Sequence, residues 1–349
     1  MSGKAVNLGN VAKVAGVSKS TVSRVLNNKL GNGFSVTDEV QERILNVAKK
    51  LRYRPNLIAQ SLSKQKRKMI HILGGSHALH DLGDIYQTAV NKIVSSIDSA
   101  LEDYNVTVDM SLHHSDESEL PPWHISAAII LARCNPATAE ELEQARIPHV
   151  SINGPGNLRV VPDDVNGTRL AVRHLVELGH KRIAYAGPQA AFLRGHSSVN
   201  DRHETYLSEM SKYGLSPMPG HNKLLSTVKT YDNLHNSAIK FIKESVIQNK
   251  ATAIISYGHM EGLNLMQAAH ILGVSIPEQL SLICFCDQHA CDVMSPSLTF
   301  IDLMSAEMGQ AAAELLIKQM KTPDQNKHET IKLPERLIVR KTTSVAPRN

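Results

Sequence analysis

The sequence predicts a small all-α head joined by a hinge helix to an α/β core of two subdomains. Three patterns predict this organisation. Residues 1–68 hold 14 Lys and Arg against 3 Asp and Glu, a net charge of +11, whereas the other residues carry −6. Apolar residues recur at helical spacing up to residue 51. From residue 69 onwards, apolar strands alternate with helices, which favours parallel sheets and crossover units.

The head contains three predicted helices. Asn7 suits the N-cap of the first, Ser18 that of the second (Lys19 to about Asn27), and Thr37 that of the third. Gly16-Val17 forms a tight turn between the first two. Each helix has one apolar face, with Leu8, Val11, Ala12 and Ala15, then Val22, Val25 and Leu26, then Val40, Ile44, Val47, Ala48 and Leu51. Three short helices sharing one small core indicate a helix-turn-helix module.

The other face of the second helix is polar and basic. Its side chains can all donate hydrogen bonds to phosphates or base edges, namely Lys19, Ser20, Thr21, Ser23 and Arg24. Such a helix suits the major groove of DNA. The alternative is a solvated, lysine-rich tail, which the folded-core pattern disfavours.

A short hinge is predicted after Pro55. Residues 56–63 are too few to form a stable helix alone in water, and the basic run Lys64–Lys68 follows them. A plain linker is the alternative. The boundaries we predict are 1–55 for the head, 56–68 for the hinge and linker, 69–162 with 302–330 for one core subdomain, and 163–301 with 331–349 for the other.

The core pattern consists of buried strands separated by helices. Seven strands are predicted, in "MIHILGG", "VTVDMSL", "SAAIILA", "PHVSIN", "RIAYAG", "TAIISYG" and "LSLICFC", with one helix around Tyr86–Asn105. No run of 18 apolar residues and no signal sequence occurs, so we expect a cytoplasmic, nucleoid-associated protein.

Motifs for catalysis or for metals are weak. No phosphate-binding loop, nucleophile elbow or H-E-x-x-H motif is present, so no enzyme is expected. Four cysteines are too few for a disulfide framework. Cys284 and Cys286 point to one face of a strand, and with Cys291 and His289 they allow a metal cluster. Buried, inert cysteines are the commoner outcome, and we expect no metal and no cofactor.

Two head segments, "VAKVAGVSKSTVSRVLN" (11–27) and "LRYRPNLIAQSLS" (51–63), resemble the headpiece of the LacI/GalR family. Four core segments are similar to the family's periplasmic-binding-protein-like core, namely 163–188, 272–285, 295–302 and 333–343. Two lengths depart from the family: the loop Asn28–Val36 is longer, and the stretch Met110–Ala127 is shorter.

This resemblance implies a transcriptional regulator, a repressor of sugar or carbohydrate-utilisation genes that binds a pseudo-palindromic operator as a homodimer. Lys19, Ser20 and Arg24 would read base edges, and Leu62 would wedge into the minor groove, with Ala59 one turn before it. Ser18, Thr21, Ser23, Asn27 and Tyr53 would position the DNA backbone. The wider set of expected DNA contacts adds Asn7, Leu8 and Asn56.

The resemblance also implies a small-molecule effector, a sugar or sugar derivative, held between the two core subdomains. Arg202 would pair with its hydroxyls or carboxylate, although a surface arginine is the alternative. Tyr231 and Asn153 are further candidates, each with a structural role as its alternative. Cys286 stands where the family usually has an acid, unless Asp287 has shifted into that role, and Gly258-His259 replaces the usual Asn-Asp. A core that serves only as a dimerisation scaffold is therefore the second hypothesis, and a sugar-binding enzyme the third.

Overall fold

The computed structural model describes residues 8–26, 36–51, 68–75, 83–113, 125–131, 136–188, 197–218, 231–287, 291–292, 294–322 and 328–348. The chain divides into two compact units, Met1–Lys68 and Met69–Asn349. Among these described residues, no helix is both long and apolar enough to cross a membrane.

The head contains the three predicted helices, α1 (Leu8–Ala15), α2 (Lys19–Leu26) and α3 (Asp38–Lys50). Two predicted caps are confirmed: the Ser18 Oγ accepts the Thr21 N–H at 3.1 Å, and the Thr37 Oγ1 accepts the Val40 N–H at 3.4 Å. Gly16 forms the turn after α1 with φ +68°, a left-handed conformation that side chains rarely adopt. The apolar faces meet in one small core around Val11, Val22 and Ile44.

The second unit contains seven α-helices and eleven strands in the part of the chain that the structure describes, counting β1, which begins at Lys68. The helices are α4 (Gly83–Leu101), α5 (Pro136–Gln144), α6 (Asp164–Glu177), α7 (Ser197–Lys212), α8 (Tyr231–Phe241), α9 (His259–Ile271) and α10 (Ser305–Lys321). The strands are β1 (Lys68–Gly75), β2 (Val106–His113), β3 (Ala127–Leu131), β4 (His149–Ile152), β5 (Leu158–Pro162), β6 (Ile183–Ala186), β7 (Ala253–Ser256), β8 (Ser281–Cys286), β9 (Thr299–Asp302), β10 (Glu329–Leu333) and β11 (Arg336–Ile338).

The first sheet has the strand order β10-β5-β4-β3-β1-β2. Its registered pairs, from β10 through β5, β4 and β3 to β1, are parallel. Helices α4 and α10 pack against each other and against this sheet, and share a core that includes Ile97, Ile129 and Leu316. The chain therefore returns to the first sheet after residue 304.

The second sheet has the order β11-β9-β8-β7-β6, parallel except for the antiparallel pair β11–β9. Along β8, alternate side chains enter different cores: Leu282, Cys284 and Cys286 lie in the core with α8 and α9, whereas Ile283 and Phe285 lie in the core with α6 and α7. The sheet is therefore covered on both faces.

The seven predicted strands are confirmed, and the mixed α/β architecture is as expected. Four strands, β5, β9, β10 and β11, are absent from the sequence prediction. The helix predicted around Tyr86–Asn105 is observed as Gly83–Leu101, because residues 102–105 turn into β2 instead. Of the short stretch Met110–Ala127, residues 114–124 lie outside the described residues.

A close contact between α4 and α10 depends on Gly309. A Cβ placed on this glycine would lie 2.5 Å from the carbonyl oxygen of Ile93 and 3.1 Å from the Cβ of Ser96. Because the first of these atoms belongs to the backbone of α4, the helices would have to move apart. We expect Gly309→Ala to lower the free energy of unfolding by about 1–3 kcal/mol, the range for overpacked cores.

Urea denaturation of the full chain measures this change. Ala306→Ser is the matched control, since Ala306 lies exposed on α10 and surface substitutions usually stay within about 0.5 kcal/mol. Equal stability of Gly309→Ala and the control would contradict the close-packing argument.

Candidate DNA-binding surface and effector site

The candidate DNA-binding surface is the solvent-facing side of α2 and the residue before it. Ser18, Lys19, Ser20 and Arg24 are exposed, while Thr21 and Ser23 are half-buried. Val22 and Val25 hold the opposite side of α2 in the head core. The helix thus presents hydroxyls at its start and a guanidinium about one turn later.

Three hydroxyls are clustered at the start of α2. The Ser18 Oγ lies 2.7 Å from the Ser20 Oγ and 2.8 Å from the Thr21 Oγ1. The first turns of α1 and α2 contain no acidic residue, whereas α3 begins with Asp38 and Glu39. Since a helix N-terminus attracts anions, the starts of α1 and α2 are compatible with nearby phosphates.

The other predicted DNA contacts are only partly described. The Leu8 side chain packs against the head core, so its available contact with DNA is the backbone at the start of α1. The remaining six lie outside the described residues: Asn7, Asn27, Tyr53, Asn56, Ala59 and Leu62. Their roles stay predictions.

The candidate effector site is built around Arg202 of α7, which is 5% exposed. Its Nε donates to the Asp164 Oδ1 at 2.5 Å, and its Nη1 donates to the Tyr257 carbonyl oxygen at 2.6 Å. Its Cζ lies 3.9 Å from the ring centroid of Phe285 and 4.8 Å from that of Tyr257. The alternative of a surface arginine is wrong, because the side chain is enclosed by an acid and two aromatic rings.

Several elements bring these groups together. Asp164 is the first residue of α6, after the capping residue Asp163. Tyr257 directly follows β7, and its hydroxyl lies 2.6 Å from the Ser198 Oγ of α7. Phe285 is near the carboxyl end of β8. The cluster therefore lies at the carboxyl ends of parallel strands, where open α/β sheets generally bind ligands.

Glu335 adds a second buried acid to this cluster. It is 2% exposed, and neither carboxyl oxygen has a hydrogen-bond partner among the described residues. Burial raises the pKa of Glu335 to about 8; the positive charge of Arg202 opposes this rise, and the charges of Asp164, Asp163 and Asp302 add to it. A protonated Glu335 is uncharged, so it adds no negative charge beside the Arg202–Asp164 ion pair.

The raised pKa of Glu335 predicts a pH dependence of stability. The folded chain keeps this proton up to about pH 8, whereas the unfolded chain loses it near 4.5. The free energy of unfolding therefore falls as the pH rises through this window, by up to about 1.4 kcal/mol per pH unit. Glu335→Gln removes this contribution, so the variant should gain stability relative to the native chain as the pH rises from 5 to 8.

Urea unfolding of both chains at several pH values measures this difference. Glu177→Gln serves as the control, because the Glu177 side chain is 69% exposed in its i,i+4 pair with Arg173. A constant difference between Glu335→Gln and the native chain across this range would contradict the assignment.

Asp287 directly follows β8 of the second sheet and contacts the two helices that pack on the first sheet, α4 and α10. Its Oδ2 accepts a hydrogen bond from the Ser305 Oγ at 2.9 Å, and its Oδ1 is 3.9 Å from the Lys92 Nζ on α4. Burial raises the pKa of Asp287, and the hydrogen bond from Ser305 opposes this rise. By contrast, Cys286 is 1% exposed and lies in the hydrophobic core that the second sheet forms with α8 and α9. Asp287, and not Cys286, therefore contacts the helices α4 and α10 that pack on the first sheet.

The remaining candidates are placed as follows. Asn153 directly follows β4 with φ +53°, and its N–H donates to the Val160 carbonyl at 2.8 Å. Tyr231 begins α8, and its side chain is outside what the structure describes. His259 begins α9, where burial lowers its pKa to about 4 and keeps it neutral.

Sequence reasoning missed four residues of this cluster: Asp164, Ser198, Tyr257 and Glu335. The adjacent acids Asp163 and Asp164 before an amphipathic helix were a detectable signal, because one acid suffices for a cap. Nothing local marked Glu335, which lies 171 positions from Asp164 along the sequence.

The comparisons with known proteins match both units. A model of bacterial regulatory proteins of the lacI family matches residues 7–56, and a model of the periplasmic binding protein-like domain matches residues 172–343. The chain is 28% identical to the ribose operon repressor of Halalkalibacterium halodurans, covering 96% of each, and 25% identical to the catabolite control protein A of Staphylococcus xylosus, covering 97% of the chain and 99% of that protein.

Solved structures show the same fold. The lac repressor dimer bound to operator and the anti-inducer ONPF matches with a TM-score of 0.71 at 24% identity, over 98% of this chain and 100% of that one. A LacI family regulator from Enterococcus faecium with bound ribose matches with a TM-score of 0.63 at 24% identity, over 80% of this chain and 99% of that one.

A helix-turn-helix head joined to a periplasmic-binding-protein-like core defines a DNA-binding transcriptional regulator. The head matches the lacI family of bacterial regulatory proteins and the core matches the periplasmic binding protein-like domain, in that order, and the chain is similar nearly end to end to repressors of the LacI/GalR type.

Proposed function

We propose that this protein represses sugar-utilisation genes as a homodimer, and that a sugar or sugar derivative bound beside Arg202 controls its affinity for the operator. The observation that carries the proposal is the exposed polar face of α2, combined with a buried arginine at the carboxyl ends of the second sheet. The names of its relatives, among them ribose operon repressors, support a sugar as the effector.

The proposed mechanism links the core to the hinge. An effector between the subdomains changes their relative angle, and the dimer transmits this change to residues 56–63. A short segment that is marginally helical is a suitable two-state element, because a small bias shifts its population. On this proposal the protein binds DNA and an effector and catalyses no reaction. It acts in the cytoplasm, where it has access to DNA.

Selection of DNA from a random duplex library by the full chain tests the DNA-binding part. We expect a pseudo-palindromic site bound by two chains, because a two-fold dimer reads two half-sites. Sedimentation of the complex counts the chains. A single non-repeated site bound by one chain would contradict the dimeric arrangement.

Calorimetry of the full chain against a panel of sugars, beginning with ribose, tests the effector part. The expected result is saturable binding of at least one sugar, together with a changed operator affinity. A flat response across the panel would favour the second candidate, a core that acts only as a dimerisation scaffold. One observation supports that candidate: the Nε and Nη1 donors of Arg202 are already engaged by Asp164 and Tyr257.

Leu62 is proposed to wedge into the minor groove of the operator. Leu62→Ala should weaken operator binding by more than it weakens binding to unrelated DNA, since wedging is coupled to bending at the specific site. Fluorescence anisotropy with both duplexes at one salt concentration measures the ratio, with Leu45→Ala, an exposed residue of α3, as the control. Equal losses on both duplexes would remove Leu62 from the wedge.

A further inference from the structure

Three cysteine thiols meet beneath α9. Cys284 and Cys286 project from the same face of β8, and Cys291 follows a few residues later. Their sulfur atoms all lie within 4.8 Å of one another, and those of Cys286 and Cys291 are 2.8 Å apart. All three are free thiols.

The thiols are enclosed by apolar groups. Their residues are 0%, 1% and 1% exposed and share a core with Leu265, Leu298 and Phe300. Helix α9 closes over them, since a Cβ on Gly262 would lie 3.1 Å from the Cβ of Cys284. No other His, Cys, Asp or Glu of the described residues joins this group of possible ligands. Among the described residues, an ion bound here would have three sulfur ligands; His289, the fourth candidate of the sequence analysis, lies outside them.

We propose that Cys284, Cys286 and Cys291 form a binding site for a trivalent thiophilic ion, with arsenite as its representative. Soft thiolate ligands select soft ions. Structural zinc sites almost always have four ligands, and the described residues supply three here, because His289 lies outside them. A trivalent ion with three thiolates has no net charge, which suits an apolar core because an uncompensated buried charge is costly.

The binding step is balanced without electron transfer. Arsenous acid, As(OH)₃, reacts with three thiols to form three As–S bonds while three As–O bonds break. The three thiol protons leave with the three hydroxyl groups as water. Neither arsenic nor sulfur changes its oxidation state.

Titration of the reduced full chain with arsenite under anaerobic conditions tests the proposal. We expect one arsenic per chain and the loss of three titratable thiols, counted by mass spectrometry and by a thiol reagent. Cys284→Ser, Cys286→Ser and Cys291→Ser should each weaken binding by at least about 100-fold, because loss of an outer-shell partner alone costs 10–100-fold. Cys134→Ser is the matched control and should bind like the native chain.

The variants are compared by circular dichroism, and a variant that keeps its fold but loses arsenite supports the site. Loss of binding in Cys134→Ser would overturn the assignment, as would two thiols consumed per arsenic. Uptake of Cu(I) or Zn(II) by the same three thiols without uptake of arsenite would overturn the trivalent preference. An absence of any effect of the three cysteine variants would remove the site altogether.

Discussion

Arg202→Ala should lower the free energy of unfolding by about 3–5 kcal/mol, the cost of removing one partner from a buried ion pair. The substitution leaves Asp164 buried without its cation and leaves the Tyr257 carbonyl without its donor. It also removes the guanidinium that contacts the rings of Phe285 and Tyr257. Chemical denaturation of the full chain measures the loss.

The double variant Arg202→Met with Asp164→Leu separates the loss of the ion pair from the loss of packed side-chain volume. It removes both charges while keeping apolar volume, and replacing both partners of a buried pair is often neutral. The double variant should therefore be more stable than Arg202→Ala alone. Arg173→Ala is the control, because the Arg173 side chain is 53% exposed and its pair with Glu177 contributes little. Native stability of Arg202→Ala would show that Asp164 is compensated by another group.

The same variants test the effector site, at a temperature where each remains folded. Loss of sugar binding with operator affinity unchanged is the expected result for Arg202→Ala. An unchanged response to the effector would remove Arg202 from the pocket and leave it a structural ion pair.

Arg24→Ala should weaken binding to the selected operator by about 1–3 kcal/mol, the range for one good contact to a base. Arg24 is exposed on α2, about one turn after the hydroxyls of Ser18, Ser20 and Thr21. A guanidinium at this position can reach a guanine edge when the start of the helix lies in the major groove. The expected loss is specific to the operator and relaxes the preference at one base pair of each half-site.

Arg43→Ala is the matched control, because it removes the same charge from an exposed position of α3. Anisotropy titrations with operator, with single-base variants and with unrelated DNA compare the two changes. A uniform loss on every duplex, equal to that of Arg43→Ala, would assign Arg24 to a phosphate.

Local residues are enough to predict the helices of the head. Thr37 and Ser18 each satisfy an N–H of their own helix, and the apolar spacing defines which side is buried, so the information lies within one or two turns. The buried strands can also be predicted from local sequence, because a strand covered on both faces is a short apolar run bounded by polar residues. The short, half-exposed strands β10 and β11 lack that pattern, and pairing with β5 and β9 decides their conformation.

The sequence by itself determined the class of this regulator and the candidacies of α2 as the DNA-reading helix and of Arg202 as an effector contact, because motifs and helical periodicity are local properties. Only the tertiary structure decided that Arg202 pairs with Asp164 beside Glu335, whose carboxyl oxygens have no hydrogen-bond partner in the part of the chain that the structure describes. It also decided that Cys291 joins the two cysteines of β8. Such clusters depend on how strands and crossovers are ordered in a sheet, and that order follows from packing the whole core.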